Sequence, residues 1–182
     1  MNSSMKAIAL LVFTILLQVL IFRFGVFAGG YAIIFFHLYG IAILPIGWHK
    51  TSYLFIGAFV GMILDLVLLT GGLHMASGAA LGFILPGLGG LVSPRDGFLK
   101  GHIMGALKDG WPRYLSYCFL ITFTYSFALF AIEGGRIGLL PAALGKGLLS
   151  GGLNVVLMGV VQGLFGIRRK SKKSKVSAYP WS

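Results

Sequence analysis

The stretch GMILDLVLLTGGLHM, residues 61–75, places a single carboxylate, Asp65, inside a run that is otherwise apolar. The residues TGG at 70–72 interrupt the apolar pattern, and two adjacent glycines favour a tight turn. Apolar sequence continues on both sides of this turn. The stretch therefore predicts a hairpin of two membrane helices, with Asp65 about one helical turn from its closed end.

The composition of the whole chain agrees with a membrane location. Hydrophobic residues make up 57% of the 182 positions, charged residues make up 10%, and the mean hydropathy is +0.91. A soluble domain cannot cover this much apolar surface. Uncharged runs of about the 20 residues needed to cross a bilayer recur along the chain, so no separate soluble domain is expected.

The apolar runs predict an all-α membrane protein with a bundle of six transmembrane helices over residues 1–167, followed by a basic cytoplasmic tail, 168–182. The sequence VFA at 26–28 loosely resembles a signal-peptidase site, but the apolar sequence that follows favours a retained first helix. A basic loop, 93–113, is the longest connection. The predicted helices are 7–26, 31–47, 53–69, 73–91, 114–132 and 141–167.

The distribution of lysine and arginine predicts the orientation. Basic residues in short loops are retained in the cytoplasm. With both termini inside, twelve of the fifteen basic residues are cytoplasmic, and Arg23, Arg136 and Lys146 lie towards the other side. The twelve are Lys6, Lys50, Arg95, Lys100, Lys108, Arg113, Arg168, Arg169, Lys170, Lys172, Lys173 and Lys175.

The net charge of +11 does not require a nucleic-acid partner. Six of the basic residues lie in the tail segment RRKSKKSK, 168–175, directly after the last predicted span. Such clusters bind anionic lipid and fix topology. We therefore expect anionic lipids as partners of Arg168, Arg169, Lys170, Lys172, Lys173 and Lys175, with docking of another protein as the alternative.

Small residues form stripes on the two helices of the predicted hairpin. Gly57, Gly61 and Asp65 are spaced by four on the first helix, and His74 begins a second series with this spacing. Residues four apart share a helix face, and glycine faces let membrane helices approach closely. We expect the two faces to meet. The second series is His74, Gly78 and Gly82.

Three interpretations of Asp65 remain open. It can hold the closed end of the hairpin by hydrogen bonds to His74, to the free amides that start the next helix, or to Arg136 or Lys146. It can belong to a contact surface or an outward-facing ligand cup. It can also take part in a proton or ion relay extended by His37, although no other acidic residue falls inside a predicted span.

The last predicted helix carries a further small-residue face, formed by Ala143, Gly147, Gly151, Gly159 and Gly163. Such a face packs within the monomer or against a partner helix, including a second copy of the chain. Asn154 and Gln162 on the same helix add side chains that can form hydrogen bonds between helices.

No combination of residues indicates an enzyme, a metal site or a cofactor site. The chain has one cysteine, Cys118, no paired carboxylates in its predicted spans, and four histidines without metal-ligand spacing. The GLGG at 87–90 lacks the lysine and the strand-to-helix context of a phosphate-binding loop. It favours close helix packing or a kink after Pro86.

Five short motifs, in order, resemble the MreD family of rod shape-determining proteins, and SPRDG in particular resembles its Bacteroidetes members. The resemblance covers most of the chain and is strongest over residues 44–97. The motifs are LLQVLIF at 16–22, LPIG at 44–47, GxxxD at 61–65, GLHM at 72–75 and LVSPRDG at 91–97.

The resemblance implies a non-enzymatic scaffold of the cell-elongation machinery in the bacterial inner membrane, which controls rod shape and peptidoglycan synthesis. Its implied partners are MreC, MreB, RodA and penicillin-binding protein 2. It also implies an architecture similar to the S components of energy-coupling-factor transporters, so a solute-capture subunit is the alternative function. The family positions fall on Asp65, Gly72, His74, Pro94, Arg95 and Gly97.

Overall fold

The computed structural model describes residues 3–21 and 26–165, so the basic tail predicted at 168–182 lies outside the described residues. Most described residues are helical. In chain order the elements are α1 (Ser3–Ile21), β1 (Val26–Phe27), β2 (Ala32–Ile33), α2 (His37–Ala42), α3 (Lys50–Leu68), α4 (Leu73–Leu91), α5 (Ala106–Asp109), α6 (Trp111–Gly134) and α7 (Leu140–Phe165).

Four helical stretches within the described residues are long and apolar enough to cross a membrane. They are α3, α4, α6 and Ile137–Phe165, which contains α7; α1 has a shorter apolar stretch, Met5–Leu20. Apart from a short hairpin, in which β1 and β2 have two residues each, the architecture is that of an all-α membrane protein. The predicted count of six transmembrane helices is wrong.

The apolar stretch of α1 falls short of a full span, and the larger error lies in the second predicted helix, 31–47. Gly29 and Gly30 have φ angles of 64° and 91°, and they form the turn of the β1–β2 hairpin. Positive φ is incompatible with a continuous right-handed helix. After the hairpin only the six residues of α2 are helical, and Gly47, with φ of 93°, turns the chain into α3.

Residues 31–46, here called the broken segment, nevertheless cross the bundle. Ile33 contacts Ser150 near the start of α7, and Tyr39 contacts Gln162 near its end. The broken segment therefore runs parallel to α7. It runs antiparallel to α1, because Ile34 contacts Gln18 whereas Gly40 lies against Leu11. The start of α1 and the end of α7 consequently lie at the same end of the bundle.

This end, here called the basic end, also contains the starts of α3 and α6 and the end of α4. The loop between α4 and α6 folds back on it, since the Ile46 amide donates to the His102 carbonyl and the Gly101 amide to the Ile46 carbonyl, both at 2.7 Å. The other end, here called the turn end, holds the α3–α4 and α6–α7 connections. Basic residues at the basic end are Lys6, Lys50, Arg95, Lys100, Lys108 and Arg113.

The core lies between the α3–α4 pair, the α6–α7 pair and the broken segment. Exposed aliphatic and aromatic side chains surround it on the outer helix faces, as expected for surfaces in contact with lipid. The largest fully buried side chains are Tyr114, Tyr125, Phe35, Leu38, Leu64, Leu81, Met104, Ile121, Met158, His37, Gln18 and Asn154.

Candidate functional site

The glycine stripes of α3 and α4 face each other, as the spacing predicts. A Cβ atom on Gly57 would overlap the carbonyl group of Gly78, and one on Gly78 would overlap that of Gly57. Gly61 is equally close to the main chain of His74, and Gly82 to that of Tyr53. All four glycines are therefore used to bring two helices of the same chain together. They are not available to a partner helix.

Asp65 caps the N-terminus of α4 from the neighbouring helix. Its Oδ1 accepts hydrogen bonds from the Thr70 hydroxyl and from the His74 amide at 3.0 Å, and its Oδ2 accepts from the Met75 amide at 2.7 Å. The first amides of a helix lack partners within it and carry partial positive charge. The half-buried carboxylate satisfies two of them, which corresponds to the structural interpretation.

Backbone geometry at the turn allows this cap. Gly71 and Gly72 have φ angles of 64° and 96°, and Leu69 is also left-handed at 55°. Three left-handed residues within four positions reverse the chain in one short connection. Because the reversal is tight, α4 starts beside the last turn of α3, within reach of Asp65. Gly72, one of the positions that the family resemblance singles out, therefore shapes the turn.

The two cationic partners considered for Asp65 are engaged or oriented elsewhere. Lys146 Nζ lies 5.4 Å from the ring centroid of Tyr31 and 5.2 Å from that of Phe130, which are cation–π distances. Arg136 lies in the exposed connection between α6 and α7. The described hydrogen bonds of Asp65 come from a hydroxyl and two amides, and neither cation contributes one.

His74 and His37 lie on either side of Tyr125 in the core. His74 Nδ1 is 2.7 Å from the Tyr125 hydroxyl, and the rings of His37 and Tyr125 are 5.0 Å apart in an edge-to-face arrangement. The structure thus brings both histidines together around Tyr125, and of the two only His74 bonds to Asp65. The bond between His74 and Asp65 is made by the main-chain amide of His74.

This cluster is interrupted at His37. Its Nδ1 is 3.4 Å from Gln18 Oε1, and its Nε2 has no hydrogen-bond partner among the described residues. The contact between His37 and Tyr125 is a ring contact, through which protons do not pass. A continuous relay from Asp65 through His37 is therefore not formed by side chains of the described residues.

A second polar group holds the broken segment, and it is centred on Asn154 of α7. Asn154 Oδ1 accepts from the Phe35 amide at 2.7 Å, and its Nδ2 donates to the Ile33 carbonyl at 2.8 Å. Ser150 Oγ accepts from the Ile33 amide at 3.1 Å. Main-chain groups inside a membrane must be satisfied within the protein, and α7 supplies the missing partners.

Gln18 of α1 completes this arrangement from the other side. Its Oε1 accepts from the Phe36 amide, and its Nε2 donates to the Ile34 carbonyl at 3.2 Å. The sequence interpretation assigned interhelical hydrogen bonds to Asn154 and Gln162, and both form bonds with the broken segment. It assigned no role to Gln18 or Ser150. A glutamine within an apolar run was the available signal for Gln18.

The glycines of α7 divide between an inner and an outer face. A Cβ on Gly147 would lie 3.2 Å from the main chain of Phe127, and one on Gly151 would lie 3.4 Å from that of Phe123. These residues pack within the monomer against α6. In contrast, a Cβ on Gly145 or Gly152 would meet nothing within 4 Å. The outer face was not part of the predicted stripe.

The loop at the basic end contains the SPRDG motif. The Pro94 carbonyl accepts from the Gly97 amide at 2.9 Å, and Gly97 has a φ of 77°, so the motif forms a turn with Arg95 exposed. Further along, His102 Nε2 lies 3.0 Å from Asp109 Oδ1. Asp109 Oδ2 also accepts from the Gly105 amide at 3.0 Å, which orders the loop before α5.

A cavity of about 150 Å³ lies at the basic end, away from Asp65 and His74. Its walls come from the end of the broken segment, the start of α3, the end of α4 and α6. Within residues 3–21 and 26–165 no three histidine, cysteine or acidic side chains are grouped as metal ligands. No family model, no curated protein and no solved structure matches this chain.

Proposed function

We propose that this protein is a non-enzymatic membrane scaffold of the bacterial cell-elongation machinery, as its resemblance to the MreD family implies. In this proposal it binds an MreC-like single-span protein in the inner membrane, with MreB, RodA and penicillin-binding protein 2 as further members of the assembly. Its mechanism is association between helices, without a chemical step.

One observation carries this proposal: polar side chains of the interior are used to hold the chain's own bundle together. Asp65 caps α4, and Asn154, Ser150 and Gln18 satisfy the broken segment. An outward-facing ligand cup built on Asp65 and His74 would need these side chains to point into an open cavity. The scaffold is therefore favoured over the solute-capture subunit.

The geometry also changes which residues are candidates for partner contact. The contact between α3 and α4 already uses four glycines, so their replacement would destabilise the bundle itself. These are Gly57, Gly61, Gly78 and Gly82. The outer face of α7 fits a partner helix better. Gly145 and Gly152 are two turns apart on this face, and the exposed Leu148, Leu149 and Val156 lie beside them.

Co-purification tests the proposal. The double variant Gly145→Leu/Gly152→Leu should lower the recovery of the MreC-like protein by about tenfold, because two leucines prevent close approach of a helix. Gly90→Leu is the matched control, since Gly90 is exposed on α4 and a Cβ there also meets nothing within 4 Å. Equal recovery with the double variant and with the control would contradict association through α7.

The solute-capture alternative has its own readout. Protein extracted in mild detergent would then retain a small metabolite, which mass spectrometry of the denatured sample would detect. If the protein retained one metabolite in molar proportion and no MreC-like partner, the solute-capture function would be favoured and the scaffold function contradicted.

A further inference from the structure

The cavity at the basic end has a closed floor and a more open rim. Its floor is formed by Tyr53, Leu85, Gly89 and Tyr117, all of which are buried. The rim is formed by the exposed Gly47 and the partly exposed Trp48 and Pro86. A cavity of about 150 Å³ is large enough for a molecule the size of benzene, and its walls are mostly apolar. We call it the basic-end pocket.

The pocket exists because position 89, in its wall, is a glycine and has no side chain to fill it. Gly89 is buried, yet a Cβ on it would meet nothing within 4 Å. A buried helical glycine normally permits close contact with another main chain, as Gly57 and Gly78 do in the same hairpin. Gly89 instead borders open space inside the protein. A Cβ atom at position 89 fits without a clash, so a longer side chain there would extend into the pocket.

One polar group in the floor has no partner. The Tyr117 side chain is 2% exposed, and its hydroxyl makes no hydrogen bond with the described residues. The neighbouring Tyr53 hydroxyl, in contrast, donates to the Pro45 carbonyl at 2.6 Å and accepts from the Trp48 amide at 3.2 Å. Because Tyr117 lines the pocket and its hydroxyl bonds to no described residue, this hydroxyl is available to an occupant of the pocket.

The surroundings of the pocket are basic. The Cα and Cγ atoms of Lys100 lie 3.2 Å from the position of a Cβ on Gly47, so this lysine lies against the rim. Lys50 follows Trp48 by two residues at the start of α3. Of the two acidic residues in the loop, Asp109 is held by His102 and the Gly105 amide, and Asp96 is exposed.

We propose that the basic-end pocket binds a membrane phospholipid with an anionic headgroup. The ester end of one acyl chain would occupy the pocket, where Tyr117 would donate its hydroxyl hydrogen to an ester oxygen, and the phosphate would lie beside Lys100 and Lys50. Basic pockets between membrane helices at the cytoplasmic side bind anionic headgroups in this way. The site is independent of the proposed partner face on α7.

Native mass spectrometry of the delipidated full-length protein in detergent tests this site, with phosphatidylglycerol as the probe and phosphatidylcholine as its zwitterionic counterpart. Gly89→Leu should weaken phosphatidylglycerol binding about tenfold, the effect of displacing roughly two methylene groups. Gly90→Leu should bind like the wild type, because this neighbour points away into open space. Lys100→Gln should weaken phosphatidylglycerol binding about fivefold and leave phosphatidylcholine unaffected.

Three results would overturn the proposal: unchanged phosphatidylglycerol binding by Gly89→Leu, equal affinity for the two lipids in the wild type, or equally tight binding of glycerophosphoglycerol, which lacks acyl chains. A melting curve for each variant separates loss of the site from loss of the fold. If Gly89→Leu does not fold, photocrosslinking of the wild-type protein with a diazirine-bearing phosphatidylglycerol tests the position of the site directly. Crosslinks must then fall on residues 46–48, 85–89 or 117, and their absence there contradicts the site.

Discussion

At the residue scale, the position of Asp65 shows how a carboxylate is accommodated in an apolar helix. Its charge is compensated by the amides that begin α4 and by the Thr70 hydroxyl, with no cation among its described hydrogen-bond donors. The sequence predicts three candidate partners for Asp65: His74, the amides that begin α4, and a cation such as Arg136 or Lys146. It does not distinguish among them, because all of them fall at the same end of the bundle.

Removal of this cap should destabilise the bundle. Asp65→Ala is expected to lower the free energy of unfolding by about 1–2 kcal/mol, the usual contribution of a helix N-cap. Asp65→Asn should cost less, because the amide oxygen still accepts one hydrogen bond. Thermal unfolding in detergent measures both effects.

Glu133→Gln is the matched control for this pair. Glu133 is an exposed acidic residue near the end of α6, at the same end of the bundle. Its replacement should leave the unfolding temperature unchanged. If Asp65→Ala unfolds at the temperature of the control, Asp65 is not the structural cap described here.

At the element scale, the broken segment marks the limit of what hydropathy can predict. Residues 31–47 are apolar enough for a transmembrane helix, and the pattern predicts one. The outcome is decided by Gly29 and Gly30 before the segment, and by Asn154 and Gln18, which satisfy the main chain of a non-helical path. The contact between Phe35 and Asn154 joins positions 119 residues apart, which a local pattern cannot anticipate.

Replacement of Asn154 should release the broken segment. Asn154→Leu leaves the Phe35 amide and the Ile33 carbonyl without partners, at a cost of about 1–3 kcal/mol for each buried group. Hydrogen–deuterium exchange of the peptide covering residues 31–46 should therefore be faster in this variant. Val156→Leu, on the exposed face of the same helix, is the control and should exchange like the wild type.

Faster exchange of α3 and α4 peptides in Asn154→Leu, with the peptide covering residues 31–46 unchanged, would mean that Asn154 stabilises the bundle in another way. The two outcomes separate a local role from a general one, because the α3–α4 contact depends on glycines and not on Asn154.

At the scale of the whole molecule, the bundle has two chemically different ends, the basic end and the turn end. The broken segment crosses the bundle between α1 and α3, so α1 starts and α7 ends at the basic end although residues 31–47 do not form the predicted helix. The start of α1 and the end of α7 can therefore share one end of the bundle without six transmembrane helices. The prediction that this side is cytoplasmic rests on the basic residues in the sequence.

Cysteine labelling tests the orientation. Leu99 and Ile137 are 85% and 86% exposed, so they form a matched pair at opposite ends. Ile137→Cys should react with a membrane-impermeant maleimide in intact cells, and Leu99→Cys only after permeabilisation. The native Cys118 is buried and should give little background. Labelling of Leu99→Cys in intact cells would invert the topology.

The broken segment also has a consequence for biosynthesis. Its polar backbone finds Asn154 and Ser150 only in the last helix, so a nascent chain that has just left the ribosome exit tunnel lacks them. Until α7 is made, Gln18 of α1 is the side chain that can bond to the main chain of residues 31–46 among those described above. Truncation before residue 150 would leave this portion accessible to proteases, and completion of α7 would act as the closing step of membrane integration.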